Sequence, residues 1–255
     1  MDGFLQNIAT EMISEVYNED CNIGMKRFPD GFFDLAICDI PYGINAGKMA
    51  FLKEKKTTIK QKNGNRLNPH SNKNYQLKEW DLKTPDQSYF DELVRVSKHQ
   101  IIFGVEYVNW QGLGSGRIKW NKGVPDGVSF KGYEMAYCSL IDHEVEVELL
   151  WAGMNQAKSL REPMVQQGNK KLNEKRIHPC HKPILLYQKL LLDYGFGSKI
   201  LDTHLGSGSH RIAAYEMGFD FYAWELDKDY FEASVKRFET FKSQLNMFRS
   251  DAMIK

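Results

Sequence analysis

Between Lys199 and Glu225 the chain runs strand, glycine turn, helix, strand, acid, and that order leaves few folds open. Lys199-Ile200-Leu201-Asp202 is a short apolar run with the character of a buried strand. Gly206-Ser207-Gly208-Ser209 then turns the chain into a helix in which Ala213 and Ala214 permit close packing and Gly218 is the stop. Phe221 to Trp224 forms the next strand, and Glu225 stands at its end, 17 residues beyond Gly208. Glycines in such a turn let the backbone approach a nucleotide, and an acid at the end of the next strand accepts hydrogen bonds from both ribose hydroxyls. Glycine pairs alone often only make turns, so the acid carries much of the weight. Two positions beyond Ser209 stands Arg211 rather than a third glycine, which weakens a nicotinamide or flavin reading.

The same alternation recurs upstream. Phe33-Asp34-Leu35-Ala36-Ile37-Cys38 reads as a buried strand, Tyr89 to Ser97 as a helix with Phe90, Leu93, Val94 and Val96 at helical spacing, and Gln100 to Phe103 as a second strand. Pro183 opens a helix through Ile184 to Leu192, with Gly195 as its C-terminal cap. Lys228 to Leu245 is a long amphipathic helix, and Glu144 to Glu148 alternates with period two like a half-exposed strand. Strands alternating with helices build an α/β fold on a mostly parallel sheet. At 255 residues a single domain is expected.

The net charge of +1 conceals an asymmetry. Residues 46 to 83 hold ten Lys/Arg against three Asp/Glu, and residues 158 to 182 hold seven against two, on an otherwise acidic body. This is the distribution of a phosphate-binding face, although charge runs serve solubility as readily. Residues 46 to 80 lack either periodicity and are expected to form a long, basic, mobile loop. The start of the chain has no signal-type apolar stretch, and no 18-residue apolar run occurs. With four dispersed cysteines and no CxxC, reduced thiols, a cytoplasmic location and no membrane association are expected.

The turn Asp39-Ile40-Pro41-Tyr42 closes the first strand and opens the basic loop. An exocyclic amino nitrogen of a base is a poor nucleophile because its lone pair is delocalised into the ring. An enzyme that alkylates it must hold both N–H groups with acceptors. The Asp39 carboxylate and the Ile40 carbonyl supply two, and Tyr42 offers a ring to stack on a flipped base. Pro41 biases Ile40 to an extended conformation, aiming that carbonyl outward. A strand-ending Asp-x-Pro turn has the same sequence, so the tetrapeptide alone leaves both readings open.

His178, Cys180 and His181 suggest a metal cluster, but nothing in the sequence completes a tetrahedral set, and no metal is expected. Neither serine of the glycine loop has the flanking glycines of a nucleophile elbow. The scattered aromatics Trp110, Trp120, Phe130 and Tyr133 read as packing before base stacking.

Taken together, these motifs resemble the DNA amino-methyltransferases of the N6-adenine/N4-cytosine family, whose catalytic motif is Asp-Pro-Pro-Tyr, and in particular their small phage- and prophage-type members. The resemblance spans most of the chain: Asp39 to Tyr42, Asp202 to Ser209, Glu225, and His178-Pro179-Cys180-His181-Lys182-Pro183, which is similar to the family's HPxxKP element. It implies a Rossmann-like fold for S-adenosylmethionine-dependent methyl transfer, with a seven-stranded sheet, helices on both faces and the circularly permuted β-type motif order. Asp39, Ile40, Pro41 and Tyr42 become the catalytic residues. Lys182, Pro183, Asp202, His204, Gly206, Gly208, Ser209, Glu225 and, more weakly, Asp20 become the cofactor residues. Asp at the first catalytic position implies N6 of adenine. The substrate implied is double-stranded DNA, in restriction–modification or a solitary role, with target recognition at about 151 to 176; relatives of this order are often homodimers.

Three positions depart from the family pattern: Ile40 and Thr203 stand for prolines, and His204 for a phenylalanine. An N4-cytosine enzyme, an RNA amino-methyltransferase and a non-catalytic DNA-binding relative are the competing readings.

Overall fold

The computed structural model describes residues 12–44, 78, 81–125, 131–197 and 199–253, the last eight as helix backbone. The expected loop at 46 to 80 and Phe130 therefore lie outside the described residues, apart from Lys78.

Five parallel strands form the centre of the molecule: β1 (Ser14–Tyr17), β2 (Phe33–Asp39), β3 (Ser97–Phe103), β9 (Lys199–Asp202) and β10 (Asp220–Trp224). They lie in the order β1-β10-β9-β2-β3, and the sheet continues with β5 (Tyr133–Cys138), β4 (Arg117–Asn121) and β6 (Glu144–Glu148). Within this sheet, among the described residues, only β5 runs against its neighbours. Among the described residues the sheet has eight strands rather than the expected seven, because β6 pairs parallel with β4 at the edge. Its alternating valines and glutamates fit an edge strand with one covered face, as the period-two reading required.

Alternate residues of the central strands enter two cores, as a strand's period of two demands. Ile200, Phe221 and Ala223 pack on one face with α3 (Ile184–Tyr194) and α4 (Ser209–Met217), through Leu186, Leu190, Ala213 and Ala214. Leu201, Tyr222 and Trp224 pack on the other with α1 (Cys21–Met25) and α2 (Gln87–Val96), through Met25, Phe90 and Leu93. The long α5 (Lys228–Met253) adds Phe231 to the first layer. Helices thus cover both faces, and Trp110 and Trp120 are buried as packing residues.

Helix ends follow the sequence with two differences. Gly218 stops α4 in the left-handed region (φ 82°), where a side chain would be strained. Gly195 ends α3 at φ −69°, so its role there is space: an added Cβ would meet the Leu191 carbonyl oxygen at 2.3 Å. Pro183 is the N-cap of α3 rather than a first-turn residue.

Strand order reverses about the β9–β2 pair, since the chain reaches β10 and β1 on one side and β3 on the other. Open α/β sheets bind ligands beyond the carboxyl ends of strands at such a point. Asp39 ends β2, Asp202 ends β9, Glu225 follows β10 and Asp20 lies just beyond β1. Residues far apart in the chain therefore meet at one edge.

Candidate active site

A cleft of about 240 Å³ occupies that edge, walled by both expected motifs: Asp39 to Tyr42 on one side, His204, Gly206 and Glu225 on the other. Asp20, His178 and Lys182 also line it.

On the cofactor side, Glu225 Oε2 accepts a hydrogen bond from the Gly206 amide (2.9 Å) and Oε1 one from the Asp227 amide (2.9 Å). Each oxygen keeps a further lone pair. Burial pushes this carboxyl up to about 7, against the pull of the two amides, with Asp227 and Asp202 adding to the rise. A buried carboxylate with no cation in those contacts and two free acceptor positions suits a pair of ribose hydroxyls. Asp20 caps α1 by accepting from the Asn22 amide at 2.8 Å, which fixes its carboxylate at the cleft.

His204 makes a hydrogen bond to Thr203 Oγ1 (2.9 Å), which in turn lies 2.6 Å from the Tyr89 hydroxyl. Burial holds the His204 imidazole down to about 4 and, with His181 and Lys182 adding to it, that of His178 to about 3, so both are neutral near pH 7. His178 Nδ1 accepts from the Cys180 amide (3.2 Å) and its ring meets Tyr230 edge-on.

Asp202, Gly208, Ser209 and Pro183 stand behind the cleft wall. Asp202 accepts from the His204 amide (3.0 Å) and pairs with His210 Nδ1 (3.1 Å), shaping the glycine loop from within. Gly208 adopts φ 72° as the α4 N-cap, with Ser234 3.2 Å from where a Cβ would stand. Ser209 is buried and bonds Ser207, His181 and Arg237.

At the Asp39 to Tyr42 turn, Ile40 is buried in the second core, and the Tyr42 and Gly43 amides both donate to Asp81 Oδ1 (2.6 and 2.9 Å). Tyr42 stacks on Tyr107 with ring centroids 4.9 Å apart. Gly104 leaves room for it: an added Cβ would stand 2.2 Å from the Tyr42 ring, and φ is 89°. The Tyr42 hydroxyl donates to Asp39 Oδ1 at 2.8 Å.

Lys182, which the resemblance assigned to the cofactor, lines the cleft and reaches the Asp39 carboxylate. Its ammonium lies 2.5 Å from Asp39 Oδ1 and 3.0 Å from Glu134 Oε2, while Lys122 meets Glu134 Oε1 at 3.1 Å. Burial raises the Asp39 carboxyl, with Lys182 opposing and Glu134 reinforcing the rise. At Glu134 burial also pushes up, but Lys182 and Lys122 together outweigh it and hold the carboxyl at about 2. For Lys182, burial favours the neutral amine, yet Asp39 and Glu134 overcome it and keep the ammonium charged. Sequence reasoning missed Glu134 and Asp81. A signal existed for Asp81 alone, as an acid in Glu79-Trp80-Asp81 at the end of the basic stretch.

This sheet order, with a nucleotide-type loop after β9 and an acid after β10, defines a Rossmann-like methyltransferase domain. The N6/N4 DNA methylase family model matches residues 49–236, nearly three quarters of the chain. The chain belongs to that family of S-adenosylmethionine-dependent DNA amino-methyltransferases. The matched stretch begins downstream of the Asp39 to Tyr42 turn.

Among solved structures, the M1.HpyAVI–SAM complex aligns at 16% identity with a TM-score of 0.48, covering 88% of this chain and 98% of that one. The PvuII DNA methyltransferase, described as cytosine-N4-specific, aligns at 12% identity with a TM-score of 0.47, covering 88% and 86%. No curated protein matches the chain. Among the described residues, no helix is long and apolar enough to cross a membrane.

Proposed function

We propose that this enzyme methylates N6 of adenine in double-stranded DNA. The observation that carries the reading is the shared cleft: a carboxylate, Asp39, ends β2 on one wall, and the Gly206–Glu225 pair forms the other. S-adenosylmethionine, when bound, supplies an activated methyl group. Glu225, the Gly206 backbone, Asp20 and His204 would hold it. The chain's own contribution is positioning, which for two oriented reactants is worth several orders of magnitude. Asp39 and the Ile40 carbonyl accept the amino N–H groups, so that the nitrogen lone pair is directed out of the ring plane. Tyr42 presents its ring to the flipped base, and Tyr107 and Asp81 keep that ring and its backbone in place. Asp39, rather than the serine of most cytosine enzymes, supports adenine through the resemblance described above.

The same reading takes 1–255 as one catalytic domain in the cytoplasm, with the basic stretch at about 46 to 80 and the region at about 151 to 176 meeting DNA. That second region opens with the hairpin β7 (Trp151–Ala152) and β8 (Asn155–Gln156) and carries Lys158, Arg161, Lys170, Lys171, Lys175 and Arg176. Lysines and arginines there position phosphates without reading sequence.

The test is to incubate purified protein with unmethylated DNA and S-adenosylmethionine and to identify the modified nucleoside by mass spectrometry. N6-methyladenine is expected, and Asp39→Ala should abolish it while cofactor binding persists. N4-methylcytosine alone would overturn the adenine assignment, and undiminished transfer by Asp39→Ala would overturn the catalytic one.

A further inference from the structure

The Lys182 ammonium has three N–H donors, and three oxygens surround it: Asp39 Oδ1 at 2.5 Å, Glu134 Oε2 at 3.0 Å and the Tyr42 hydroxyl at 3.2 Å. Lys182 itself is 4% exposed, so the arrangement is shielded from water. The contact to Asp39 poses a chemical problem. Lys182 and Tyr42 both bond Oδ1 of the carboxylate whose task is to accept an amino N–H. A buried ammonium with a single carboxylate partner would compete with that amino group for Asp39.

Glu134 resolves the conflict by geometry. It extends from β5, the strand that runs antiparallel in the large sheet, two residues beyond the Ala136–Phe103 pairing, and so reaches the end of β2 from outside the parallel set. Its second oxygen is tied to Lys122, which keeps Glu134 charged and fixed. Two carboxylates and two ammonium groups therefore balance, with Lys182 held between the carboxylates. We propose that Glu134 is a positioning residue for methyl transfer: by sharing the Lys182 ammonium, it leaves the Asp39 carboxylate able to take up the incoming amino group. The inference rests on the role given to Asp39 above.

The charged and titratable groups facing Asp39 are Lys182 and Cys180 from the segment before α3, Tyr187 from α3, where burial, Asp202 and Asp39 push the hydroxyl up and keep it neutral, Glu134 from β5, and Tyr42 from its own turn. Burial and the neighbouring carboxylates push the Cys180 thiol and the Tyr42 hydroxyl up, so both stay neutral near pH 7. Removing the charge of Glu134 takes away a group that raises the Asp39 carboxyl. The acid limb of the rate profile should therefore move to lower pH while the plateau falls, a pairing that simple loss of fold does not produce.

The experiment measures single-turnover methyl transfer to unmethylated DNA against pH for wild type, Glu134→Gln and Glu134→Asp, with the cofactor dissociation constant determined for each. Glu134→Gln should lose about tenfold or more in plateau rate, the scale of a misplaced catalytic group, with the acid limb shifted down and cofactor affinity unchanged. Glu134→Asp keeps the charge at shorter reach and should fall between the two, its acid limb at the wild-type position. A wild-type plateau in Glu134→Gln, or equal losses in both variants, overturns the proposal. If Glu134→Gln does not fold, Glu134→Asp decides: an intermediate rate supports the proposal and a wild-type rate overturns it. A wild type that transfers no methyl group overturns the functional reading and this inference with it, whereas active wild type with an equally active Glu134→Gln overturns the inference alone.

Discussion

Cofactor affinity should depend on pH through Glu225. Its carboxyl is raised to about 7 in the free protein, chiefly by burial, whereas ribose hydroxyls donating to it favour the charged form. With a pKa near 7, roughly nine tenths of the sites are ionised at pH 8 and roughly one tenth at pH 6, so if only the ionised form binds fully, affinity falls about tenfold over that span. Neighbouring groups do not blur the effect, since His178 and His204 titrate near 3 and 4 and remain neutral throughout. Stability of the free protein moves the other way. The folded carboxyl binds its proton more tightly than an unfolded one, so its contribution is fully present below about 4.5, declines as pH rises, and is gone above about 7. Calorimetric titration with S-adenosylmethionine from pH 6 to 8 at fixed ionic strength, for wild type and Glu225→Gln, checks this. The variant should bind weakly with whatever pH dependence belongs to the cofactor itself. A wild-type slope equal to that of Glu225→Gln would refute the reasoning.

Two further substitutions probe the catalytic turn. Asp81→Ala leaves the Tyr42 and Gly43 amides without their acceptor, at about 1–3 kcal/mol for an unsatisfied buried group; thermal melting should show the loss, and methyl transfer should fall. Gly104→Ala places a methyl group against the Tyr42 ring at a positive φ, so transfer should drop about tenfold or more with cofactor affinity unchanged, both read from one set of kinetics.

What the sequence disclosed and what it concealed divide along covalent distance. The strand-end positions of Asp39 and Glu225 were legible because each sits inside a contiguous motif whose local pattern names the strand. Glu134 was not, because its role arises from the register of β5 on β3, and no local pattern encodes that two elements will bring residues 39 and 134 together. Lys182 was legible as a residue of the cleft but not in its contact, for a long flexible side chain can serve either wall of one cleft. The edge strand β6 was readable from its alternation, but its parallel pairing with β4 was not. The network in which Glu174 accepts from Arg237 and the Ile184 amide, with His181 bridging to Ser209, was likewise hidden. It joins the second basic region to the glycine loop through residues without a shared motif.

The three departures from the family pattern favour an active enzyme once their surroundings are considered. Proline and phenylalanine need no polar partners, whereas a buried threonine and histidine do. Thr203 and His204 supply each other with one, and Tyr89 completes the chain at 2.6 Å. Burial keeps His204 uncharged, so the replacement brings no unpaired charge into the cleft. At the turn, the rigidity that a first proline would provide is replaced from two directions. Ile40 is anchored in the core at 2% exposure, and Asp81 fastens the two amides that follow Pro41. A relative that had lost catalysis would have no reason to retain this fastening around a carboxylate, a tyrosine and a balanced set of charges. The departures are compensated where they occur, and the compensation falls on the groups to which the proposed mechanism gives methyl transfer.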